Sequence, residues 1–516
     1  NWSGLILKGS FDSSLRTLLH HNHCGCSSVS TDFLRISPEI MQGIPFVKSY
    51  AIIGAELQVF KLYQKNKSHD HAYIQDIHLP TDLVGTIRGL TVQLYGTSSE
   101  VSEKLIHQTG VYLDRDTPAV FSFGRLGPDA IAFAPYSEYF FKQRKMALIR
   151  ATGDSKRLFH IASRHAQELL TQFRVENGTG QIIDAFELLN HFTRRTSGDF
   201  VWGKNTVNRS VEVLNSSDKM EHMSFMDALN ETFTELRFYS NKLWNRIYFP
   251  LSVWPITREA RRLTFNTKVI RNEIDQMMKY PETNSVSEAV QINNAKYGVP
   301  LNMTRDDLIT STIAGLDTIK STIMSTMWHL LHEDNMKWRE MVLVEITPIL
   351  ENSENAYTEL AHCKVLNAVI YEALRFETPG SLINNYATKD YDLIVREKTY
   401  KIKAGTRIVP NIHVLHYTEP CWPEYNTIPL DVFDPSRFIG HDKEIVGSCY
   451  YMPFGKGPRR CPGQAVGMLM VRVFVAIFLA RNYKCRITIP QDQANDVTYF
   501  NLSSRATFSF HCSAKN

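Results

Sequence analysis

Residues 454–463 read Phe-Gly-Lys-Gly-Pro-Arg-Arg-Cys-Pro-Gly and place a cysteine, Cys461, in a loop of glycines and prolines. The segment behind this loop, 463–481, is apolar and predicts a helix that begins directly after the cysteine. A thiolate at this position gains from the positive end of the helix dipole and from free backbone N–H groups. A lone cysteine is more often a small buried apolar residue, but the residues fixed around this one favour a ligand.

Four further residues of the loop suit a flat, anionic cofactor. Gly457 and Gly463 allow a ligand to approach the backbone closely, and Phe454 can pack against its face. Arg459 supplies a positive charge beside the cysteine that can bind a carboxylate. An axial sulfur, hydrogen bonds to it and a cation for a propionate are the groups that a thiolate-ligated haem needs. The residues of the loop therefore suit a thiolate-ligated haem.

Two segments upstream of the loop carry charged residues in specific positions. Glu372 and Arg375 lie in an apolar stretch that predicts a helix over 360–376, and their spacing puts them on one helical face. Arg437 belongs to Phe-Asp-Pro-Ser-Arg-Phe at 433–438. An exposed helical pair of this kind contributes little to stability. The spacing of Glu372 and Arg375 lets the two side chains pair on their helix.

Taken in order, these segments resemble the cytochrome P450 family. The loop is similar to the family's Phe-x-x-Gly-x-Arg-x-Cys-x-Gly, and the other two are similar to its Glu-x-x-Arg helix and its Phe-x-Pro-x-Arg-Phe segment. The resemblance extends over residues 100–510. It implies haem b with Cys461 as the axial ligand of the iron, and Glu372, Arg375 and Arg437 as a structural charge network under the haem.

A long helix predicted over 302–331 contains Ala-Gly-Leu-Asp-Thr at 314–318, which is similar to the family's Ala/Gly-Gly-x-Asp/Glu-Thr signature. The resemblance implies that Gly315 leaves room for dioxygen, that Thr318 donates a hydrogen bond to it and that Asp317 relays protons. The alternatives are a threonine that bonds back to its own helix and an aspartate on a solvated face.

Three positions depart from the family pattern. Ile319 stands where a second hydroxyl residue is usual. Residues 140–145 are similar to the family's Trp-x-x-x-Arg helix, with Phe140 in place of Trp and Arg144 as a second propionate partner. Asn385 stands where many members have a basic residue, so we expect it to bind a propionate more weakly.

The patterning along the chain predicts a mainly α protein. The periodicity favours a single large domain with small β-sheets. The resemblance implies a single large cytochrome P450-like fold, with the haem between the long central helix and the helix of the cysteine loop. Short strands are predicted within 84–94 and 391–410, where β-branched residues alternate between turns. Thr304 and Asp307 have the spacing of a capping box for the long helix.

The N-terminal region carries little information. We assign residues 76–516 to the P450-like domain and leave residues 1–75 as an unassigned segment, a candidate membrane-proximal region. It contains a helical pattern at 54–66 and a His/Cys cluster at 20–26, which we interpret as flexible because no second ligand pair has zinc-finger spacing. A chain that starts at Asn can lack an upstream anchor, and no run of about 20 apolar residues is present.

Composition excludes several classes of protein. The 516 residues include 57 basic and 53 acidic side chains, which leave a net charge of +4, and 43% are hydrophobic. These values are ordinary for a globular protein and exclude a disordered tail or a basic nucleic-acid-binding module. The eight cysteines are sparse and irregular, which indicates reduced thiols in a protein that faces the cytosol.

The resemblance implies a monooxygenase that inserts one oxygen atom from dioxygen into a small apolar substrate. Electrons would come from an NADPH-dependent reductase, and the enzyme would be a monomer at the cytosolic face of the endoplasmic reticulum membrane. The alternatives are a haem-thiolate isomerase or dehydratase that acts on a peroxide without a reductase, and a catalytically inactive haem- or lipid-binding protein.

Two surfaces are expected to serve this activity. The segments 120–133 and 308–314 are apolar and are candidates for the substrate pocket, although an ordinary core explains them equally well. A basic patch for an acidic electron donor is the second, with scattered solvated charges as the alternative. Its members are Lys142, Lys145, Lys456 and Arg460.

Overall fold

The computed structural model describes Ile44 and residues 82–88, 91–115, 125–136, 138–171, 181–240, 242, 255–380, 385–417, 422–423, 426–481, 484–488 and 509–513. The patterns at 20–26 and 54–66 lie outside these residues, and the domain boundary at residue 76 stays a prediction. Helices predominate among the described residues and small sheets accompany them, which confirms the predicted mainly α fold.

The described residues form fourteen α-helices, which we number in chain order. They are α1 Ser99–His107, α2 Phe141–Ala151, α3 Ser155–Thr171, α4 Ala185–Trp202, α5 Phe225–Ser240, α6 Arg258–Lys279, α7 Val286–Lys296, α8 Leu301–Leu331, α9 Met336–Asn352, α10 Ala356–His362, α11 Lys364–Phe376, α12 Ile412–Tyr417, α13 Asp442–Gly447 and α14 Gln464–Ala480. Short 3-10 helices cover Lys204–Asn208, Glu333–Asn335, Pro435–Phe438 and Gly457–Arg459.

Twelve short strands form four sheets within the described residues. They are β1 Leu83–Arg88, β2 Thr91–Gly96, β3 Leu113–Arg115, β4 Gln181–Asp184, β5 Ser210–Leu214, β6 Met220–Ser224, β7 Asn385–Ala387, β8 Tyr391–Val395, β9 Lys398–Ile402, β10 Arg407–Pro410, β11 Lys484–Thr488 and β12 Ser509–Ser513. The sheet orders are β1-β2-β10-β7-β3, β11-β12-β4, β5-β6 and β8-β9. The strands predicted within 84–94 and 391–410 are therefore confirmed.

The long helix α8 confirms the prediction over 302–331, but its start differs from the predicted capping box. The helix begins after Pro300, whose φ of −56° already suits a helix start. Thr304 lies inside the first turn, where its hydroxyl accepts a hydrogen bond from Nδ2 of Asn294 at 3.1 Å. The capping box is wrong because the side chain of Asp307 binds a distant arginine instead.

The helix predicted over 360–376 is in fact two helices, α10 and α11, with Cys363 in an extended conformation between them. Glu345 on α9 explains the break, because its carboxylate accepts the backbone N–H groups of Val365 and Leu366 at 3.1 and 3.0 Å. A carboxylate at a helix N-terminus stabilises the helix there. The sequence around the break could not predict it, because the carboxylate that caps α11 comes from another helix.

The core positions the site by packing α8 against α4 and α14. Residues 468–471 and 473–479 of α14 are almost completely buried, as expected for a helix that is apolar on all sides. The start of α14 therefore holds the cysteine loop firmly against the interior, facing the middle of α8.

Candidate functional site

Cys461 lies directly before α14 and its side chain is exposed to a cavity of about 420 Å³. Its backbone N–H donates to the carbonyl of Phe454 at 2.9 Å, which closes the loop. Helix α14 starts at Gly463 without a side-chain cap. Burial raises the pKa of the Cys461 thiol above its usual value, whereas the Gly463 N–H and the charges of Lys145 and Arg460 lower it. These groups offset part of the cost of a buried thiolate.

The two glycines of the loop have different surroundings. Gly463 lines the cavity, and a Cβ added there would lie 3.9 Å from the sulfur of Cys461. Gly457 has a φ of 64°, and an added Cβ would lie 2.5 Å from Cγ2 of Ile106 on α1. The described cavity wall does not include Gly457. Gly457 therefore lets the loop pack on α1, and its contact with a cofactor stays a prediction.

The middle of α8 lines the same cavity through Gly315, Thr318 and Ile319. The Thr318 hydroxyl donates to the Ala314 carbonyl at 2.6 Å, so the back-bonded alternative holds, and the hydroxyl oxygen can still accept a hydrogen bond. A Cβ added at Gly315 would lie 3.2 Å from Oγ of Ser197 on α4, so the glycine allows α8 to pack closely against α4. Ile319 is buried and makes this part of the wall apolar.

Arg459 holds one edge of the cavity together. Its Nη2 donates to Oδ1 of Asp114 at 2.9 Å and to the Ala134 carbonyl, and its Nη1 donates to the Ile131 carbonyl at 3.2 Å. Its Nε is buried and has no hydrogen-bond partner among the described residues. A buried donor without a partner is costly, so this atom marks a place for an acceptor that the chain does not provide.

Two cations beside Arg459 were not recognised as site residues from the sequence. Arg115 lies in the cavity wall, and burial and the nearby charge of Arg459 lower its pKa to about 10. Lys145 also lines the cavity, and its Nζ donates to the Pro458 carbonyl at 2.6 Å. Burial and Arg459 lower its pKa as well. Asp114 is the carboxylate that Arg459 binds and that also acts on Arg115, so three crowded cations share this one counter-charge and a further anion would stabilise them.

The residues at this cavity fit a haem. Cys461, which can provide a sulfur ligand, lines the cavity together with Gly315, which has no side chain, and Phe454, which has an aromatic one. The cations and the unpartnered Nε of Arg459 match the carboxylates that a haem carries at one edge. The predicted pocket segments also contribute, through Ile131 and Ala314.

Arg144 does not lie in the described cavity wall, which corrects its predicted role as a propionate partner. The side chain is completely buried, and its Nε and Nη2 donate to the two carboxylate oxygens of Asp307 at 2.8 and 2.7 Å. Its other partners are Glu138, at 3.3 Å, and the carbonyl of Asp129. With its donors occupied in this way, Arg144 joins α2 to the start of α8.

The cavity-facing residues of α2 lie one position later than the sequence comparison suggested. Phe141 lines the cavity, and its ring packs against the guanidinium of Arg459, with 4.4 Å between the ring centroid and the guanidinium carbon. Phe140 precedes the helix and packs edge-on against Tyr139. The predicted aromatic and basic pair therefore corresponds in space to Phe141 and Lys145. Because Lys145 lines the cavity and binds the cysteine loop, it does not belong to the predicted basic surface patch.

Asp317 lies behind the α8 wall and outside the described cavity lining. Its carboxylate accepts from Nζ of Lys320 at 2.8 Å and from Nη1 of Arg237 on α5 at 3.0 Å. Burial raises the pKa of Asp317, but these two charges outweigh it and hold the pKa below the usual value. The alternative of a solvated aspartate is therefore wrong, since Asp317 is a buried carboxylate held by two cations.

The structure brings Glu372, Arg375 and Arg437 together in a completely buried cluster. Oε1 of Glu372 accepts from Nη2 of Arg375 and from Nε of Arg437, both at 2.9 Å, and its Oε2 accepts from Nε of Arg375 at 2.7 Å. Carbonyl groups bind the remaining arginine donors, among them His416 O and Val432 O. The predicted network therefore forms, and the surface-pair alternative does not hold.

Comparison with known proteins agrees with this geometry. The family model described as cytochrome P450 matches residues 58–503. The chain belongs to the cytochrome P450 family. This P450 is 23% identical to the probable cytochrome P450 6a23 of Drosophila melanogaster over 367 residues, which cover 67% of this chain and 68% of that protein. It is 28% identical to the putative cytochrome P450 132 of Mycobacterium bovis over 272 residues, 52% of this chain and 55% of the relative.

Family membership establishes the class of this P450. It is a haem-iron monooxygenase, an oxidoreductase that acts with molecular oxygen. A further relative, cytochrome P450 9e2 of Blattella germanica, is 27% identical over 256 residues, 48% of this chain and 45% of that protein. Among the described residues, no helix combines the length and the apolar character needed to cross a membrane.

Proposed function

We propose that Cys461 is the axial ligand of the haem iron, and that the enzyme inserts one oxygen atom from dioxygen into an apolar organic substrate. One observation carries this proposal: Cys461, in the loop before α14, and Gly315 and Thr318 of α8 line the same cavity. The bound haem would supply the oxygen activation, for which thiolate ligation is suited. The chain's own groups would bind the haem, orient the substrate and deliver protons.

Arg115, Lys145 and Arg459 are the proposed partners of the haem carboxylates. They line one edge of the cavity, and their mutual repulsion is relieved when an anion binds. Arg459 offers its buried, unpartnered Nε for this contact. This set replaces the combination of Arg459 and Arg144 that the sequence suggested.

Thr318 and Asp317 are the proposed proton-handling pair. Thr318 lines the cavity, and its hydroxyl oxygen can accept a hydrogen bond there, whereas it can donate one only after it rotates away from the Ala314 carbonyl. Asp317 can exchange protons with the surface near Arg237, which is only partly buried. Because the Lys320 and Arg237 contacts must loosen before Asp317 moves, we expect proton transfer to depend on the rotation of this carboxylate.

Substrate and partners follow from the same proposal. The cavity wall also contains Phe200, Val201, Leu374 and Val471, which favour a small apolar substrate. Electrons are proposed to come from an NADPH-dependent reductase, and the protein is proposed to act as a monomer at the cytosolic face of the endoplasmic reticulum membrane. Similarity to the eukaryotic relatives supports this location.

The test is the absorption spectrum of the reduced protein under carbon monoxide. We expect the red-shifted Soret band of a thiolate-ligated haem, its loss in Cys461→Ala, and its retention in the control Cys449→Ala, which alters a partly buried free cysteine outside the described cavity lining. A band typical of a histidine-ligated haem would refute the proposal. Oxygen uptake coupled to NADPH oxidation, with a reductase added, then distinguishes a monooxygenase from a peroxide isomerase.

A further inference from the structure

We propose that His416 is a positioning residue that joins the Glu372 charge cluster to the cysteine loop through two directed hydrogen bonds. Helix α12 carries it, and its side chain is completely buried. The proposal depends on the function proposed above in one respect only, namely that Cys461 is the iron ligand that the loop positions.

The contacts of the imidazole define its tautomer. The backbone N–H of Met452 points at Nε2 from 3.1 Å, so Nε2 must accept and carries no proton. The proton is therefore on Nδ1, which lies 3.1 Å from the carbonyl of Arg375 and donates to it. Oγ1 of Thr378, also 3.1 Å from Nδ1, donates its own proton to the Leu374 carbonyl and can share the Nδ1 proton.

Each end of this connection is attached to a part of the site. Arg375 on α11 is bound by Glu372, and its Nη1 also donates to the His416 carbonyl at 3.0 Å. At the other end, the Met452 carbonyl accepts from Gly455 N at 2.9 Å in the turn that leads to Phe454. The Phe454 carbonyl in turn accepts the backbone N–H of Cys461.

Ring packing supports the same arrangement from the side. The imidazole stacks on Tyr451 with a ring separation of 5.1 Å and an interplanar angle of 21°. The Tyr451 hydroxyl donates to the Tyr371 carbonyl of α11 at 2.9 Å. Burial lowers the pKa of His416 to about 3, so the neutral tautomer that these bonds need persists at neutral pH. The orientation of the ring is thus fixed on three sides.

Two substitutions separate hydrogen bonding from packing. His416→Phe keeps a ring on Tyr451 but can neither accept from Met452 nor donate to Arg375, whereas the amide of His416→Gln can do both. Hydrogen exchange of the haem-loaded protein, followed by mass spectrometry on peptides that contain Met452, measures the first bond directly. The carbon monoxide difference spectrum measures the cysteine ligation.

In the Phe variant, we expect the Met452 amide to exchange about tenfold faster and a larger share of the haem to lose its thiolate-type band. In the Gln variant, both quantities should stay near those of the parent. The control His413→Phe changes a buried histidine of the same helix that stacks on Tyr417, and it should leave Met452 exchange unchanged.

Either of two results would overturn the proposal. One is normal Met452 protection and ligation in the Phe variant, and the other is a Gln variant as defective as the Phe variant. Failure of the proposed function has a different signature, because the unsubstituted protein would then lack the thiolate band altogether. The exchange measurement would still report on the His416 bond in that case.

Discussion

Two of the buried ion-pair clusters among the described residues differ in how far apart their members lie in the sequence. Glu372 and Arg375 are three residues apart on one helix and are joined by Arg437. Arg144 and Asp307 are 163 residues apart and join α2 to the start of α8. Both clusters are shielded from water and both have bidentate geometry, yet only the first was visible in the sequence.

The two clusters hold different parts of the candidate site in place. The Glu372 cluster lies next to the path that leads through His416 to the cysteine loop. The Arg144–Asp307 pair instead holds the other side of the cavity, because Asp307 also accepts the backbone N–H of Ile131 at 2.7 Å. One cluster therefore supports the sulfur side, and the other supports the segment whose carbonyls bind Arg459.

Breaking the first cluster should have the largest effect. Glu372→Gln leaves two buried arginines without a counter-charge, so we expect the free energy of unfolding to fall by about 3–5 kcal/mol. Urea denaturation measures this loss. Glu377→Gln is a matched control on the next turn, since burial raises the pKa of Glu377 to about 8 and its neutral acid resembles an amide. Equal stability of the Glu372 variant and the control would contradict the prediction.

Breaking the second cluster should cost somewhat less, about 3 kcal/mol for Arg144→Met or for Asp307→Leu. Glu138 remains 3.3 Å from Arg144 and keeps part of its compensation. The double variant should lose less than the sum of the two, because neither charge is left alone. Urea midpoints of the four proteins give this coupling, and additive losses would argue that the pair is not a unit. Glu138→Gln is the control, with an expected loss below about 1 kcal/mol.

The contrast also explains how much of the molecule could be predicted. Helix periodicity and the cysteine loop are local patterns, so α8, α14 and the Glu372 spacing followed from the sequence. Arg115 reaches the cavity because β3 pairs with β7, in a register that sets it opposite Asn385. Pairing between strands that are distant in the sequence has no local signature, so the sequence could not identify Arg115 as a site residue.

The cation of α2 that lines the cavity is Lys145 and not the predicted Arg144, and this one-residue difference has a similar cause. A helix with charged residues at consecutive positions has several faces that could reach the cavity, and tertiary contacts select among them. Asp307 binds Arg144, which turns Lys145 toward Arg459 and the loop. The partner that decides this lies on a helix far along the chain, where sequence comparison with a short motif cannot see it.

Acid should weaken the Glu372 side of the molecule through His416. Burial lowers the pKa of this histidine from 6.5 to about 3 in the folded protein, so below pH 6.5 only the unfolded chain binds the proton. Stability is therefore lost as the pH falls from 6.5 toward 3, by about 2 kcal/mol at pH 5. Urea midpoints at pH 7 and pH 5 measure this, and the pH dependence should be smaller in His416→Gln. An unchanged pH dependence would show that His416 does not contribute.

The smallest effect is expected for an exposed pair that matches the buried clusters in distance but not in burial. Lys403 and Asp390 are 2.9 Å apart, and about half of each side chain is exposed. Asp390→Asn should cost less than about 1 kcal/mol, because water already solvates both charges, and the loss should shrink further in high salt.

Asp390 also accepts the backbone N–H of Ala404 at 2.8 Å, a bond that the asparagine can keep and Asp390→Ala cannot. Comparing the two variants by urea denaturation therefore separates the turn from the ion pair. If Asp390→Asn cost as much as Glu372→Gln, then distance rather than burial would determine what an ion pair contributes. The contrast between the buried clusters and the surface would then lose its physical basis.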